Sequence, residues 1–232
     1  TGGKCRGNGC DMDSWFEHEA MGRYVAKLEQ DFFNRYVASY RFGGMCALQV
    51  GGLWLRLSED IVCVPRDMSM SAEEMALADI SADMLLLPHT LECGIPSQIL
   101  SEAHRILKPS GRLILTGFNP YSLWGLGSWF DGVRLPEKRF CLSLHELKKQ
   151  LADAGFDIEY GKFMVYLPAV SSLGKIRFWQ FMEKMGDRWW PQCAAVYGLV
   201  LLKNVAGVTP LRTQEGFWDG KTVAAGAARV AD

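Results

Sequence analysis

The sequence predicts an α/β fold, with a mostly parallel sheet and helices on both of its faces. Two apolar runs, Met84 to Leu87 and Leu113 to Phe118, lie on either side of a segment whose apolar residues recur at helical spacing. The stretch from residue 83 to 118 therefore has the order and the size of one βαβ unit. Because neither run alternates with polar residues, both strands are expected to be covered on both faces, as in a parallel sheet.

Composition and charge limit the class of protein. The 232 residues, of which 49% are hydrophobic, can form one large domain with a sizeable core. The net charge of −1 gives no overall attraction to nucleic acid or to an anionic membrane, so neither is expected as a partner. The seven cysteines include no CxxC pair, which predicts free thiols in a reducing cytoplasm and no metal site. We find no apolar run of membrane-spanning length and no signal peptide, a pattern typical of a soluble protein.

Turn and capping signals divide the N-terminal half. Residues 1–13 show no periodicity and are predicted to be disordered. A capping box at Ser14 and Glu17 predicts a helix that continues to Tyr36. Strands are predicted at Met45 to Val50 and at Ile61 to Val64, and one or two helical turns at Ser71 to Ala78.

The C-terminal half has the same kind of signals. A capping box at Ser143 and Glu146 predicts a helix that ends at Gly155. The other elements predicted here are strands at 156–160 and 195–202 and a helix at 173–185. The domain is therefore expected to span residues 14–205, followed by a loose tail at 206–232.

The βαβ unit carries three motifs in a fixed order. Its first strand ends in Leu87-Pro88-His89-Thr90-Leu91-Glu92, its helix closes with EAHRILKPSG at 102–111, and its second strand reads RLILTGFNP at 112–120. In these motifs the chain resembles class I S-adenosylmethionine-dependent methyltransferases of the methyltransferase-11 type, over about residues 14–211. The ending TGFNPYSLWG is similar to an uncharacterised bacterial subgroup.

The resemblance implies a Rossmann-like fold whose last two strands form an antiparallel hairpin, at 157–166 and 195–202. It also implies S-adenosylmethionine as cofactor. The insertion between these strands, 170–192, would then pack over the substrate side of the sheet; alternatively it is only more core. From Gly52 to Asp83 the chain is too short for the usual two helices and two strands, so the fold is expected to be shortened between its first and fourth strands.

A glycine turn after the first strand is the expected contact for the cofactor, because only glycine allows close backbone approach. Gly51 and Gly52 are the candidates. The family motif is degenerate here, since Gln49 replaces its acid and Leu53-Trp54 its later glycines. The alternative is an ordinary turn at a strand end.

Further site residues follow from the resemblance. Asp67 and Met68 look like the acid-plus-apolar pair that meets the adenine, although Asp67 could be a plain surface residue. Pro88 would complete the cofactor site. His89 lies where the family places a residue close to the methyl donor, and as a neutral imidazole it could bind substrate or accept a proton. The alternative is a histidine that caps the strand end through its hydrogen bonds.

Asn119, Tyr121 and Trp124 follow the second strand of the unit and are expected to face the substrate, unless Asn119-Pro120 only forms a turn. The aromatic residues after this strand could close a lid over the substrate, bind a partner or lie in the core. They are Tyr121, Trp124, Trp129, Phe130, Trp189 and Trp190.

The predicted function is methyl transfer from S-adenosylmethionine to an unidentified acceptor, more readily a small molecule than a macromolecule. A methyltransferase-like fold that has lost the cofactor and serves as an interaction or regulatory module is the main alternative. A nicotinamide-dependent oxidoreductase is disfavoured, because no GxGxxG opens a helix after the first strand.

Overall fold

Six strands form one sheet in the computed structural model, which describes residues 8–40, 45–58, 61–64, 66–68, 70–124 and 141–204. The strand order is β2-β1-β3-β4-β6-β5. The strands are β1 (Ala47–Val50), β2 (Val62–Val64), β3 (Ala82–Pro88), β4 (Leu107–Phe118), β5 (Phe156–Met164) and β6 (Val196–Lys203).

Strands β1 to β4 pair in parallel, whereas β6 is antiparallel to both of its neighbours, β4 and β5. The predicted parallel sheet with a C-terminal antiparallel hairpin is thus confirmed. Leu48, Leu85 and Leu113 lie side by side across three central strands. The apolar runs that predicted buried strands are therefore the middle of the sheet.

Helices cover both faces of the sheet. They are α1 (Asn8–His18), α2 (Ala20–Tyr40), α3 (Pro96–Ile106), α4 (Leu144–Asp153), α5 (Leu173–Trp179) and α6 (Phe181–Trp189). On one face, α1, α2 and α5 pack against strand residues such as Met84 and Ile114. On the other face, α3 and α4 pack against Leu85 and Leu113. Successive strand residues thus enter different cores, as the pleat requires.

The predicted shortening after β1 is confirmed, since the described residues from 51 to 81 contain the three-residue strand β2 and no helix. The helical turns predicted at Ser71 to Ala78 are wrong. Side chains of α3 bind the backbone there instead: Glu102 accepts from the amide of Met75 at 2.8 Å, and Arg105 donates to the carbonyls of Met75 and Leu77. These long-range bonds replace those of a helix.

The N-terminal predictions also need correction. Helix α1 begins at Asn8, so residues 8–13 are helical rather than disordered, and Ser14 lies inside the helix instead of capping it. The chain then bends at Glu19 before α2 begins. A side chain on Gly22 would place its Cβ atom 2.1 Å from the carbonyl oxygen of Trp15. Only glycine at this position lets the two helices approach so closely.

The C-terminal half follows the prediction with one difference. Ser143 caps α4 with both hydrogen bonds of the capping box. The single helix predicted at 173–185 is two helices that meet at Gln180 and continue to Trp189. The predicted tail at 206–232, together with Trp129 and Phe130, lies outside the described residues.

Candidate functional site

The mouth of the sheet is the edge at which the parallel strands β1 to β4 end. The chain leaves β1 for β2 on one side and returns to β3 on the other, so the strand order reverses between β1 and β3. Ligands of open α/β sheets bind at such a reversal. The glycine turn follows β1, Asp67 follows β2, His89 follows β3 and Asn119 follows β4. The structure therefore brings the predicted site residues to one edge.

The glycine turn is packed against the end of β3. Gly51 and Gly52 both have positive φ, +81° and +59°. A Cβ atom on Gly52 would lie 2.4 Å from Cγ of Pro88, and one on Gly51 would lie 2.9 Å from Oγ1 of Thr90. Glycine is therefore required here by the backbone and by the close packing of the protein itself.

Gln49, which stands in place of the family's acid, stabilises this turn from inside. Its side chain is 2% exposed, and Nε2 donates to the carbonyl oxygens of Gly51, Gly52 and Leu55 at 3.1, 2.9 and 3.2 Å. A carboxylate could not donate these bonds. The replacement of the acid thus fixes the loop to its own strand.

His89 lies at the centre of a buried charged cluster. Its Nε2 atom is 2.7 Å from Oε1 of Glu29, and its Nδ1 atom is 2.8 Å from Oε2 of Glu92. The three residues are 1%, 0% and 4% exposed. The second oxygen of Glu29 accepts from the hydroxyl of Thr116, and that of Glu92 accepts from the amide of Phe118. The cluster joins α2, β3 and β4.

The charges of Glu29 and Glu92 determine the protonation state of His89. Burial alone lowers the pKa of His89, but Glu29 and Glu92 outweigh burial and raise this pKa to about 10. Burial raises the pKa of Glu92, against the opposing effect of His89. The imidazole is therefore an imidazolium at neutral pH, with both N–H groups used. As it stands, it has no free nitrogen to accept a proton.

Glu29 was not among the site residues predicted from the sequence. The signal was its place on the apolar stripe of α2, four residues after Val25 and four before Phe33, which are both buried. An acid on such a stripe needs a buried partner. The partner is His89, but its position could not be read from the sequence.

Aromatic rings cover the cluster. Phe16 of α1 stacks on Trp54 with ring centroids 4.0 Å apart and lies 5.1 Å from the ring of His89. Phe118 lies 4.1 Å from the ring of His89 and stacks against Phe16 with centroids 6.1 Å apart. Asp13 accepts from the amide of Leu53 at 3.1 Å and ties α1 to the glycine turn. Helix α1 therefore lies over the mouth, a contact that the sequence did not predict.

Asp67 and Met68 remain open to solvent. The Asp67 carboxylate accepts from the amide of Cys63 at 2.8 Å and from the guanidinium of Arg66 at 3.0 Å, yet its side chain is 41% exposed. The hydrogen bond from Arg66 lowers the pKa of Asp67, so the group is ionised. Glu59 and Asp60, the other acids near β2, lie outside the described residues.

The three predicted substrate residues differ in exposure. Asn119 is buried, and its Nδ2 atom donates to the carbonyls of Gln192 and Ala194 while Oδ1 accepts from the amide of Tyr121. Trp124 is buried and donates to the carbonyl of Leu167 at 3.0 Å. Tyr121 is 77% exposed. Asn119 and Trp124 therefore hold the loop after β4, and Tyr121 is the one whose side chain is free to meet a ligand.

The fit of S-adenosylmethionine differs between two parts of the mouth. Asp67 and Met68, assigned to the adenosyl group, are accessible and suit it. The part expected to lie close to the methyl donor is covered in this arrangement, because the rings of Phe16 and Trp54 lie over His89. No methyl-transfer step is therefore assigned to His89. Within the described residues, no three His, Cys, Asp or Glu side chains come together as a metal site.

Comparisons with known proteins agree with the fold. Residues 55–115 match the family model described as a methyltransferase domain. The chain is 35% identical over 126 residues to the uncharacterized protein YafS of Escherichia coli strain K12, an alignment that covers 49% of this chain. It spans about half, 51%, of the length of that relative.

Two solved structures are similar to the chain. One is a chain of a Haloferax volcanii complex that contains the methyltransferase activator Trm112, with 14% identity, a TM-score of 0.50, and coverage of 84% of this chain and 98% of that one. The other is an S-adenosylmethionine-dependent methyltransferase from Archaeoglobus fulgidus, with 19% identity, a TM-score of 0.48, and coverage of 77% and 94%. At 14% identity, the likeness to the first of these structures concerns the fold alone.

The fold and the family-model match confirm the resemblance to class I S-adenosylmethionine-dependent methyltransferases. The fold is thus that of a class I methyltransferase, shortened between β1 and β3. In that shortened part the glycine turn packs against Pro88 and Thr90 at the end of β3, and no helix follows it among the described residues.

Proposed function

We propose that the chain is an S-adenosylmethionine-dependent methyltransferase that acts on an unidentified small-molecule acceptor. The match of residues 55–115 to the methyltransferase domain carries this proposal. It includes α3 and three of the strands that end at the mouth, which are β2, β3 and most of β4. When bound, the cofactor supplies an already activated methyl group, so the protein mainly has to bind and align. The lack of a catalytic triad does not count against the proposal.

Asp67 is the residue proposed to hold the ribose and adenine side of the cofactor. It is ionised and exposed and lies three residues after the end of β2, and a carboxylate is the natural acceptor for ribose hydroxyls. Met68 offers an apolar surface beside it, 39% exposed. Gly51, Gly52 and Pro88 are proposed to line the same site, and Tyr121 to meet the acceptor with Asn119 and Trp124 behind it.

Cofactor access is proposed to depend on Phe16 and Trp54. Their stacked rings lie over His89, and α1 carries Phe16. If the open form is a minor fraction of the population, the apparent affinity falls by that fraction. Exposure of His89, and any part it takes near the methyl donor, would require the same movement.

A second candidate is the cofactor-free interaction module. The close packing of Gly52 against Pro88 is compatible with it, but the match to the methyltransferase domain does not favour it. In this function the mouth stays closed by the packing of α1 against the sheet.

Calorimetric titration with S-adenosylhomocysteine tests the proposal. We expect micromolar binding by the full chain. Asp67→Ala is expected to weaken it about tenfold or more, the effect of losing a hydrogen bond to a charged group. Asp153→Ala on α4, also exposed, is the matched control and should leave binding unchanged. Phe16→Ala is expected to strengthen binding. Absence of heat from both the wild type and Phe16→Ala would reject cofactor binding and favour the interaction module.

A further inference from the structure

Helices α5 and α6 carry a large exposed apolar surface. Six large side chains between residues 173 and 190 are at least 43% exposed, and two of them, Phe178 and Trp189, are 69% exposed. These six residues are called the aromatic patch: Leu173, Phe178, Phe181, Met185, Trp189 and Trp190. Phe181, Met185 and Trp189 follow one another along one face of α6, and exposed apolar stripes of this kind mark binding sites.

The patch is fixed in its outward orientation. Ile176 is buried and anchors α5, and Gly186 of α6 lies against the ring of Tyr166, where a Cβ atom would come within 2.3 Å. The carboxylate of Glu183 accepts from the hydroxyl of Tyr24 at 3.1 Å and from the amide of Tyr166. One side of α6 is thus held to the domain, and the opposite side cannot turn inward.

Basic residues border the apolar stripe. Phe181, Met185 and Trp189 are spaced by four residues and share one face of α6, and the exposed Lys184 and Arg188 lie beside them on that face. Lys175 and Arg177 add two exposed cations on α5. Among the acids of this segment, Glu183 faces the domain.

The charge of this segment differs from that of the whole chain. Residues 173–190 contain four basic and two acidic residues, a net charge of +2, within a protein of net charge −1. Exposed tryptophan and phenylalanine next to lysine and arginine are the composition of helices that lie in a membrane interface. The absence of overall attraction noted for the whole sequence therefore does not apply to this face.

We propose that the aromatic patch docks the protein on the surface of an anionic phospholipid bilayer. The aromatic rings would enter the headgroup boundary, and Arg177, Lys184 and Arg188 would meet lipid phosphates. Among the residues that the structure describes, none of the helices combines the length and apolar character needed to cross a bilayer. The proposed binding is peripheral, and it is independent of the proposed methyl transfer.

Vesicle flotation of the full chain tests this inference. Vesicles of phosphatidylcholine mixed with phosphatidylglycerol are compared with vesicles of phosphatidylcholine alone, at low and at high salt. We expect the protein to float with the anionic vesicles and to lose most of this binding in high salt, because screening weakens attraction to the headgroups.

Two sets of variants separate the apolar and the electrostatic contributions to vesicle binding. Phe178→Ser/Phe181→Ser/Trp189→Ser removes apolar contacts and should abolish flotation; the matched control is Ile80→Ser/Ile95→Ser, exposed residues elsewhere. Arg177→Glu/Lys184→Glu/Arg188→Glu should also abolish it, since each lost cation lowers membrane partition about fivefold. Its control, Lys148→Glu/Lys149→Glu, lies on α4 at the other face of the sheet and should float as the wild type does.

Several outcomes would overturn the inference. These are no flotation with anionic vesicles, equal flotation with both lipids, or flotation that survives both sets of patch variants. A dimer in light scattering that the serine variant dissociates, without vesicle binding, would assign the patch to contact between two copies. If the serine variant does not fold by circular dichroism, the charge-reversal variant carries the test, because its three residues are exposed.

Discussion

The Nε2 atom of His89 lies 2.7 Å from the carboxylate of Glu29, although 60 positions separate the two residues in the chain. The bond joins the end of β3 to the middle of α2, and both side chains are fully buried. Bonds between charged groups are short and strong when their surroundings exclude water. This connection between β3 and α2 therefore requires both His89 and Glu29.

Glu29→Ala is expected to lower the free energy of unfolding by about 3–5 kcal/mol, because it leaves a buried imidazolium with only one counterion. Urea denaturation measures this change. Glu74→Ala removes an exposed acid and should change stability by less than about 0.5 kcal/mol. Equal effects of the two substitutions would show that the buried pair contributes nothing to the free energy of unfolding.

Stability is expected to fall as the pH rises above neutrality. The folded pKa of His89, about 10, lies above its ordinary value of 6.5, so the folded state binds the proton more tightly. The stabilisation is complete below about pH 6.5 and is lost as the pH rises toward 10, with a slope of at most about 1.4 kcal/mol per pH unit. Urea midpoints measured across this range test the slope. His89→Gln should flatten it, and a wild type whose stability rises with pH would contradict the prediction.

Gly52→Ala is expected to destabilise the protein by more than about 2 kcal/mol. The left-handed backbone alone costs an L-residue about 1–2 kcal/mol, and the new Cβ atom would collide with Pro88. Gly174, by contrast, lies in α5, and a Cβ atom added there would have no neighbour within 4 Å, so Gly174→Ala should stabilise by about 0.5 kcal/mol. Thermal unfolding of both variants measures the difference, and a tolerated Gly52→Ala would mean that the turn is free to move.

Trp54→Phe should cost less stability than Trp124→Phe. Both indoles are buried, but Nε1 of Trp54 has no hydrogen-bond partner among the described residues, whereas Nε1 of Trp124 donates to the carbonyl of Leu167. Loss of the second bond leaves a buried acceptor unpaired, at about 1–3 kcal/mol. Chemical denaturation of the two variants gives the comparison. A larger loss of stability for Trp54→Phe than for Trp124→Phe would imply that Nε1 of Trp54 has a hydrogen-bond partner in solution.

The sequence predicted the βαβ unit well because its signals are local. Helical spacing from Ile99 to Ile106 and the unbroken apolar runs on both sides depend only on neighbouring residues. The capping box at Ser143 belongs to the same class of signal. Such patterns determine element type, and in a parallel sheet they also determine which residues reach the mouth.

The closed state of the mouth could not be predicted, because it depends on contacts between distant segments. Phe16 reaches His89 only through the bend at Glu19, and Glu29 reaches it from another helix. The region before Asp83 is a similar case, since Arg105 of α3 binds the backbone carbonyls there and prevents a helix. In each case the distant partner cannot be read from the sequence.

The two outer strands of the sheet have a consequence for aggregation. Strand β2 has only three residues, and the other outer strand, β5, carries Asp157, Glu159 and Lys162. Short or charged edges discourage the addition of a foreign strand to the unpaired backbone groups. Amyloid-like growth from either edge is therefore disfavoured, and association of this protein is directed to its helical surfaces.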